Sequence, residues 1–361
     1  MVNINDLTLE EKLGQMMMVG FNGNKINDRV KDLVLKYKVG GFILYKKNFD
    51  SYEQMLQIIR ELKEINSTNK IPLFIAIDQE GGRVNRMPQE IKNLPSAYNM
   101  AQTGNLDLIK EAAKITGEML YNSGINMNFA PVLDIKRFKN KHAIGDRCYS
   151  DNKDDVIKYG LETMKEITNN KVISVIKHFP GHGLTSKDTH FFLPVVKKSM
   201  DEIEKEDILP FKKAIEQGAD AIMVGHIIIN AMSKTLPASL SRKFIGKYIR
   251  KKLKFNGLVI TDDLKMRAIR FVYGYKLAVR QAFTSGSDII MFRFDHKDEK
   301  NAILQAYRMA KYGLIKEGRV NTSVKRILKV KEKYAISDTC EFNGINVDEI
   351  NERIQRIRDK V

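Results

Sequence analysis

Tryptophan is absent from the 361-residue sequence, and cysteine occurs only twice, at Cys148 and Cys340. So little cysteine argues against a disulfide-rich secreted scaffold and against a cysteine-ligated zinc cluster, and it favours a reducing compartment. Without tryptophan, any side chain that stacks on a ligand ring has to be one of the 17 phenylalanines or 13 tyrosines.

Long apolar runs are also missing. No stretch of about 18 apolar residues occurs, so we expect no membrane span. The segment from Met1 to Lys12 is polar and begins a helix, rather than forming a basic stretch followed by an apolar one. We therefore expect no signal peptide, no membrane partner and a cytoplasmic location.

Acidic residues are too few to balance the basic ones. The 44 Asp and Glu residues face 61 Lys and Arg residues, which gives a formal net charge of +17. The lysines are dispersed in short groups such as Lys46-Lys47 and Lys197-Lys198, without the dense basic tract or interleaved aromatic residues of a nucleic-acid groove. We interpret them as a solvated surface and expect no nucleic-acid partner. An anionic substrate or polymer is the alternative explanation of the charge.

Eight short apolar runs are present, separated by amphipathic segments. They are Gln15–Gly20, Gly41–Tyr45, Pro72–Asp78, Asn126–Val132, Val172–Lys177, Ala219–Gly225, Gly257–Asp262 and Ser287–Phe292. Continuous apolar runs are typical of parallel strands buried on both faces, and the gaps between them have room for crossover helices. The pattern predicts an α/β fold, closed as a single-domain (β/α)₈ TIM-like barrel. An open doubly wound sheet is the alternative.

Four segments outside these runs have apolar residues at helical spacing. They are Ser51–Lys63, Leu106–Tyr121, Met200–Gln217 and Val320–Tyr334. The first begins with a Ser N-cap, and the last is expected to have an N-terminal cap. We expect the barrel to occupy residues 1–335. Residues 336–361 are too few for a domain and are expected to be a C-terminal extension.

Ionisable residues end or follow six of the eight predicted strands. They are Asp78, Asp134, Lys177 with His178, His226, Asp262 and Arg293. Active groups of parallel barrels lie at the carboxyl ends of the strands, whereas a purely structural strand end more often turns on Gly, Asn or Ser. The enrichment therefore predicts a catalytic mouth.

The segment from Asp78 to Arg86 is the first of three clusters that carry chemistry. Two glycines after the acid allow a tight turn that brings Arg83 and Arg86 near the same mouth. A carboxylate with nearby guanidinium groups can bind vicinal hydroxyls through charge-assisted hydrogen bonds. A surface ion-pair turn is the alternative.

The second cluster runs from Lys177 to His190 and contains three histidines. His178, His182 and His190 could in principle bind a metal, but they lie in a loop with Pro and Gly and no cysteine joins them, so we predict no metal site. Asp188 and His190 are two residues apart and project the same way from an extended loop, so the carboxylate can fix the imidazole tautomer. Such a pair is suited to acid/base catalysis near neutral pH.

The third cluster is Asp262 and Asp263, at the end of a buried strand. Asp262 ends the strand, and a carboxylate held there is rigid, as an attacking nucleophile should be. Asp263 can equally cap the helix that follows. Spacing by itself leaves the choice between them open.

Seven segments, in their order along the chain, resemble glycoside hydrolase family 3, and within it the bacterial β-N-acetylglucosaminidases that trim N-acetylglucosamine from cell-wall fragments. The segments are Asp78–Arg86, Ala130–Asp134, Gly145–Arg147, Lys177–Gly183, Asp188–His190, Pro237–Ser241 and Thr261–Met266. The resemblance covers roughly residues 8 to 334 and includes a lysine-histidine motif followed by Asp-x-His that is specific to this branch.

The resemblance implies a role for each matching residue. Asp262 would be the nucleophile and His190 the general acid/base, with Asp188 orienting that histidine. The residues implied to bind the sugar in the terminal subsite are Asp78, Arg86, Arg147, Lys177 and His178. Neither a metal nor a cofactor is implied.

The implied activity is that of an exo-acting retaining β-N-acetylglucosaminidase (β-N-acetylhexosaminidase), whose partner is an N-acetylglucosamine-containing saccharide or muropeptide. A β-N-acetylglucosaminide phosphorylase is one alternative, because a histidine acid/base puts no negative charge beside an incoming phosphate. A β-glucosidase of the same family and a non-catalytic sugar-binding or nucleic-acid-binding protein are the others. Two departures from the family pattern, at Cys148–Asp151 and at Leu184, do not touch the catalytic pair.

Overall fold

The computed structural model describes residues 2–137, 144–184, 193–293 and 296–361. The strands in these ranges are β1 (Met17–Val19), β2 (Gly41–Leu44), β3 (Phe74–Ile77), β4 (Met127–Asn128), β5 (Ile173–Phe179), β6 (Val195–Val196), β7 (Ala221–Val224), β8 (Ile228–Ile229), β9 (Leu258–Thr261) and β10 (Ile290–Phe292). Eight of them form one parallel sheet in the order β10-β1-β2-β3-β4-β5-β7-β9, and β6 pairs with β8 in a small separate sheet.

Helices connect and surround the strands. The α-helices of the described ranges are α1 (Leu9–Gln15), α2 (Asp28–Leu35), α3 (Tyr52–Asn66), α4 (Ala97–Gln102), α5 (Leu106–Asn122), α6 (Lys153–Asn169), α7 (Met200–Lys205), α8 (Leu209–Glu216), α9 (Arg267–Ser285), α10 (His296–Lys311), α11 (Glu317–Lys333) and α12 (Val347–Arg358). A π-helix spans Lys243–Lys252, and α9 is kinked at Gly274. In the part of the chain that the structure describes, no helix is long and apolar enough to cross a membrane.

The sheet closes on itself. At one edge β10 pairs with β1 in parallel register, with Met18 opposite Met291. At the other edge a parallel bridge joins Ile260 of β9 to Ile289, and the Ile289 N–H donates to the Val259 carbonyl at 3.2 Å. The (β/α)₈ barrel predicted from the eight apolar runs is therefore confirmed, and the open doubly wound sheet is wrong.

Each predicted run contains one barrel strand, but β5 continues past its predicted end. It runs to Phe179, with a register shift against β7 between Ile176 and Phe179. Lys177 therefore lies inside the strand instead of ending it, and His178 lies inside it instead of after it. The irregular register accompanies the two ionisable side chains near the carboxyl end of this buried strand.

Three of the four predicted helices form, and the fourth is broken. Ser51 caps α3 by accepting a hydrogen bond from the Gln54 N–H at 3.2 Å. The predicted helix Met200–Gln217 is divided into α7 and α8, because Pro210 in the first turn of α8 has no N–H to continue the earlier helix. The last helix, α11, begins three residues before its predicted start and has no side-chain cap.

The base of the barrel, opposite the predicted mouth, is held by buried charges. Asp288 is fully buried, pairs with Arg250 and accepts hydrogen bonds from the Val259 N–H at 2.9 Å and from Ser323 Oγ at 2.5 Å. Lys331 on α11 donates to the Gly40 carbonyl at 3.0 Å, beneath β2. These contacts tie α11 and the π-helix to the amino ends of the strands.

The segment 336–361 packs on the barrel's helical layer. Its helix α12 lies against α5, where Arg353 Nη1 pairs with Glu118 Oε2 at 2.6 Å and Arg353 Nη2 pairs with Glu111 Oε1 at 2.8 Å. The division into a barrel of residues 1–335 and an extension stays a prediction.

Candidate active site

A cavity of about 310 Å³ opens at the carboxyl ends of the barrel strands. Its volume is at the low end of the roughly 300–1,000 Å³ typical of small-molecule sites, so it has room for about one sugar ring. The charged and polar side chains that line it include Asp78, Arg83, Arg86, Arg147, Lys177, His178, His182, Asp262, Asp263 and Arg293. The structure thus brings together all five predicted sugar-binding residues and the predicted nucleophile.

One wall of the cavity is built around Lys177, whose side chain is only 1% exposed. Its Nζ donates to Asp78 Oδ1 at 2.7 Å and lies 2.5 Å from Glu80 Oε1. Glu80 also accepts from Arg147, through Nε at 2.8 Å and Nη2 at 2.7 Å. Burial by itself would raise the pKa of Glu80, but the adjacent Arg147 and Lys177 outweigh it and hold that pKa well below its usual range. The network therefore fixes both cations at the cavity wall.

His178 is oriented by Asp134, a fully buried carboxylate in the segment that follows β4. His178 Nδ1 lies 2.7 Å from Asp134 Oδ2, and the His182 N–H donates to Asp134 Oδ1 at 2.6 Å. Burial would raise the pKa of Asp134, but His178 and these hydrogen bonds lower it. Because an ionised carboxylate only accepts, Nδ1 carries the proton and Nε2 accepts from Arg147 Nη2 at 3.4 Å.

Replacing Asp134 with asparagine should lower kcat/KM by roughly 10- to 100-fold, because a charge-assisted hydrogen bond of about 1.5–3 kcal/mol is lost and the His178 tautomer is released. Steady-state kinetics on the wild type and the variant measure the loss. Asp220→Asn is the matched control, since Asp220 pairs with Lys333 at 2.7 Å before the start of β7, at the base of the barrel. Equal losses in the two variants would contradict a specific role for Asp134.

The glycine turn after Asp78 brings two arginines to the cavity, as the sequence predicts. Gly81 and Gly82 have φ angles of 86° and 54°, and a Cβ on Gly82 would lie 2.7 Å from the Ser96 Cβ. Arg86 lies with its guanidinium carbon 5.9 Å from the Tyr45 ring centroid, and Arg83 Nε pairs with Asp146 Oδ1 at 2.9 Å. Only glycine allows the turn to pass this close to the neighbouring loop.

The two carboxylates after β9 have different surroundings. Asp262 is partly exposed at the cavity, and its Oδ1 accepts from the Asp263 N–H at 2.7 Å. Asp263 is buried, pairs with Arg293 Nε at 2.9 Å and accepts from the Lys265 N–H at 3.0 Å. Burial raises the pKa of Asp263 to about 6, against the opposing effect of Arg293. The more open position of Asp262 favours it as the group that meets a substrate.

Residues 8–330 match the family model described as the Glycosyl hydrolase family 3 N terminal domain. The chain belongs to glycoside hydrolase family 3. The match covers the whole barrel, and it confirms the resemblance that the seven sequence segments indicate.

Relatives of this family 3 chain include two curated proteins and a solved structure. Beta-hexosaminidase A from Pseudoalteromonas piscicida is 30% identical over an alignment of 368 positions, which covers 91% of this chain and 61% of that protein. Beta-hexosaminidase from Xylella fastidiosa (strain M23) is 32% identical over 282 residues, which cover 76% and 82%. The structure of a glycoside hydrolase family 3 beta-N-acetylglucosaminidase from Paenibacillus sp. str. FPU-7 has a TM-score of 0.92 at 35% identity and covers 98% of this chain and 69% of that one. The chain therefore spans less than two thirds of the P. piscicida relative.

The predicted acid/base pair of this family 3 barrel, Asp188 and His190, lies outside the described residues. Of the three histidines considered as metal ligands, His178 and His182 line the cavity, and His190 is the one outside the described residues. Within the described ranges, no three His, Cys, Asp or Glu side chains are grouped so that they could hold a metal ion.

Sequence reasoning missed two groups and one pairing that shape the site. Glu80 lies inside the first motif, but an acid among arginines in a turn is equally typical of a surface ion pair. Tyr45 ends an apolar run and gives no polar signal, yet it lines the cavity. The pairing of Asp263 with Arg293 joins residues 30 positions apart, so only the closure of the barrel between β9 and β10 makes it visible.

Proposed function

We propose that this family 3 barrel is an exo-acting, retaining β-N-acetylglucosaminidase that releases terminal N-acetylglucosamine from an N-acetylglucosamine-containing saccharide. One observation carries the proposal. A cavity sized for one ring has the Asp262 carboxylate open to it at the end of β9 and the charged groups of Asp78, Arg147 and Lys177 fixed in its wall. A single-ring pocket accepts a chain end and not the middle of a polymer.

Asp262 acts as the nucleophile in this proposal. Its carboxylate attacks the anomeric carbon and the bond to the leaving oxygen breaks, so that a covalent glycosyl-enzyme forms with inversion. Water then attacks the same carbon and releases the sugar with a second inversion, so the product keeps the β configuration. The Asp263 N–H on Asp262 Oδ1 fixes the carboxylate for this attack.

His190, tuned by Asp188, moves the proton in this proposal. It first protonates the leaving oxygen and later accepts the proton of the attacking water. The support is the Asp-x-His spacing in the sequence, which follows directly on the motif that contains His178.

The sugar hydroxyls bind the fixed wall. Asp78 accepts hydrogen bonds, while Lys177, Arg147 and Arg86 donate them, and His178 contributes its Nε2 edge. Because Glu80 and Asp134 hold these groups in place before the sugar arrives, little side-chain entropy is lost on binding.

The names of the relatives support the choice of sugar, since two curated proteins are beta-hexosaminidases and the solved structure is a beta-N-acetylglucosaminidase. We also propose that the sugar comes from cell-wall fragments such as muropeptides and that the reaction is cytoplasmic. The small number of cysteines supports the reducing compartment.

The test compares a chromogenic β-N-acetylglucosaminide with the corresponding β-glucoside, with and without added phosphate, and identifies the products by mass spectrometry. We expect the N-acetylglucosaminide to be preferred and free N-acetylglucosamine to be the product in both buffers. A preference for the glucoside would mean a β-glucosidase, and sugar 1-phosphate as the main product would mean a phosphorylase. Defined muropeptides and chitin oligosaccharides as substrates then decide the leaving group.

A further inference from the structure

The turn that carries Asp262 is suspended between two neighbouring strands. The Asp262 N–H donates to the Val224 carbonyl at the end of β7, at 3.0 Å. The Leu264 N–H donates to the Met291 carbonyl in β10, at 3.1 Å. The backbone of the turn is thus fixed on both sides, and the side chains around Asp263 decide how rigidly its centre is held.

His226, just after β7, forms a hydrogen bond to the backbone of this turn. It is fully buried, with Nε2 3.0 Å from the Asp263 carbonyl oxygen and Nδ1 2.6 Å from Ser239 Oγ. A carbonyl oxygen only accepts, so Nε2 carries a proton and donates it to the Asp263 carbonyl. Both ring nitrogens of His226 are thus in hydrogen bonds.

Arg293, at the end of β10, holds the Asp263 carboxylate from the other side. Its Nε lies 2.9 Å from Asp263 Oδ2, and its backbone N–H donates to Asp263 Oδ1 at 3.2 Å. The guanidinium carbon lies 5.7 Å from the ring centroid of Tyr45, and Arg86 lies 5.9 Å from the same centroid. Tyr45 thus has two arginines within cation–π distance, one from the loop after β3 and one from the end of β10.

We propose that Arg293 and His226 are positioning residues, which anchor the carboxylate and the carbonyl of Asp263 so that the Asp263 N–H keeps Asp262 Oδ1 aimed at the sugar. The inference rests on the proposed function, because it takes Asp262 as the nucleophile. Asp263 is then the residue that Arg293 and His226 hold in place, and it has no direct part in the chemistry.

The hold of Arg293 on Asp263 depends on whether the Asp263 carboxyl is ionised. Titratable and charged groups face Asp263 from its own segment and from the neighbouring ones. They are Asp262, Lys265, His226, Arg293, Lys47, Tyr45, Asp78 and Arg86. Burial raises the pKa of Asp263 to about 6, and Arg293 is the largest opposing influence. The carboxylate is therefore ionised and paired above about pH 6, and it loses its attraction for Arg293 as the pH falls through that value.

Burial and the Asp262 charge both raise the pKa of Asp263, and the Arg293 guanidinium is the main group that lowers it. Without that guanidinium the pKa of Asp263 should rise further, since loss of an opposite charge at this distance is worth about one to three pH units. In Arg293→Met the carboxyl is expected to be protonated at neutral pH, where the wild type is ionised.

The experiment measures kcat and KM against pH for the wild type, Arg293→Met and Arg293→Lys, on whichever chromogenic glycoside the wild type cleaves. We expect the acid limb of kcat near pH 6 in the wild type, moved upward by at least about one unit in Arg293→Met and restored in Arg293→Lys. At pH 7 kcat should fall by about tenfold or more, while KM changes by less than about threefold, because Arg293 lines the cavity but is not one of the five residues proposed to bind the sugar. Arg353→Met is the matched control, since Arg353 is a similarly exposed arginine (20% against 31%) in ion pairs on α12.

Asp263→Asn provides an isosteric second variant that keeps the shape of the turn. It should show a low kcat at pH 7 and no acid limb near pH 6, because the titrating group is gone. An unshifted acid limb in Arg293→Met, or wild-type kinetics in Asp263→Asn, would overturn the inference while leaving the proposed function intact. A wild type that cleaves no glycoside would overturn both.

Discussion

Replacing Asp262 with alanine should lower kcat by about 10⁴-fold or more, because the variant has no group to form the covalent glycosyl-enzyme. The variant should still fold, since Asp262 is partly exposed and the bonds from the Asp262 and Leu264 N–H groups to the neighbouring strands do not involve its side chain. The Asp263 N–H loses its acceptor in the variant. Hydrolysis of a chromogenic β-N-acetylglucosaminide measures the loss. Added azide should enter the space left by the carboxylate and give the α-glycosyl azide, a product that only loss of the nucleophile explains.

Asp263→Ala is the matched comparison for this prediction, since it removes the neighbouring carboxylate of the same turn. We expect a smaller loss, because Asp263 is directed at Arg293 and acts only by holding Asp262. If Asp263→Ala lost more activity than Asp262→Ala, the nucleophile would be misassigned. Mass spectrometry of the wild type with a slowly hydrolysed substrate provides an independent check, since the trapped sugar should map to Asp262.

Replacing Asp288 with asparagine should lower the free energy of unfolding by about 3–5 kcal/mol, the usual cost of breaking a buried ion pair. Asp288 is fully buried and pairs with Arg250, which also donates to the Phe255 and Gly257 carbonyls at 2.8 and 2.7 Å. Burial lowers the pKa of Arg250 to about 10, against the opposing effect of Asp288. In the variant Arg250 stays charged at neutral pH and is left without its carboxylate.

Urea unfolding followed by circular dichroism measures this effect, with Glu352→Gln as the control. Glu352 belongs to an exposed pair on α12 whose two side chains are 72% and 73% exposed, so its loss should leave the midpoint unchanged. Because Asp288 lies at the base of the barrel, the folded variant should keep the wild-type KM. An unchanged unfolding midpoint for Asp288→Asn would show that the buried network does not stabilise the barrel.

Much of the fold could be predicted from local patterns. Parallel strands between helices bury both faces, so eight apolar runs with helical segments between them predict a parallel α/β fold and favour a closed barrel. The pairing of β10 with β1 then excludes the open doubly wound sheet. The helix at Met200–Gln217 shows where local spacing fails. Apolar residues at helical spacing lie on both sides of Glu206 and Asp207, but Pro210 has no N–H to donate, and the chain is divided into α7 and α8.

The candidate site was predictable to the extent that its residues are marked by their place in the sequence. Asp78, Lys177, His178 and Asp262 lie at or next to the carboxyl ends of strands, and the barrel topology sends all such ends to one mouth. The roles of Asp188 and His190 stay predictions, since both lie outside the described residues.

The sequence by itself determined the kind of barrel, its family and the residues gathered at its mouth, because strand period and motif order are local properties of the chain. Only the tertiary structure decided which partners hold those residues. Glu80 between Arg147 and Lys177, Asp134 behind His178, and Arg293 against Asp263 join residues from different strands or from the loops that follow different strands. Such pairs form because ionised groups that are removed from water at a barrel mouth have to find opposite charges or hydrogen-bond partners there. That requirement acts through space, so the linear spacing of the chain does not reveal it.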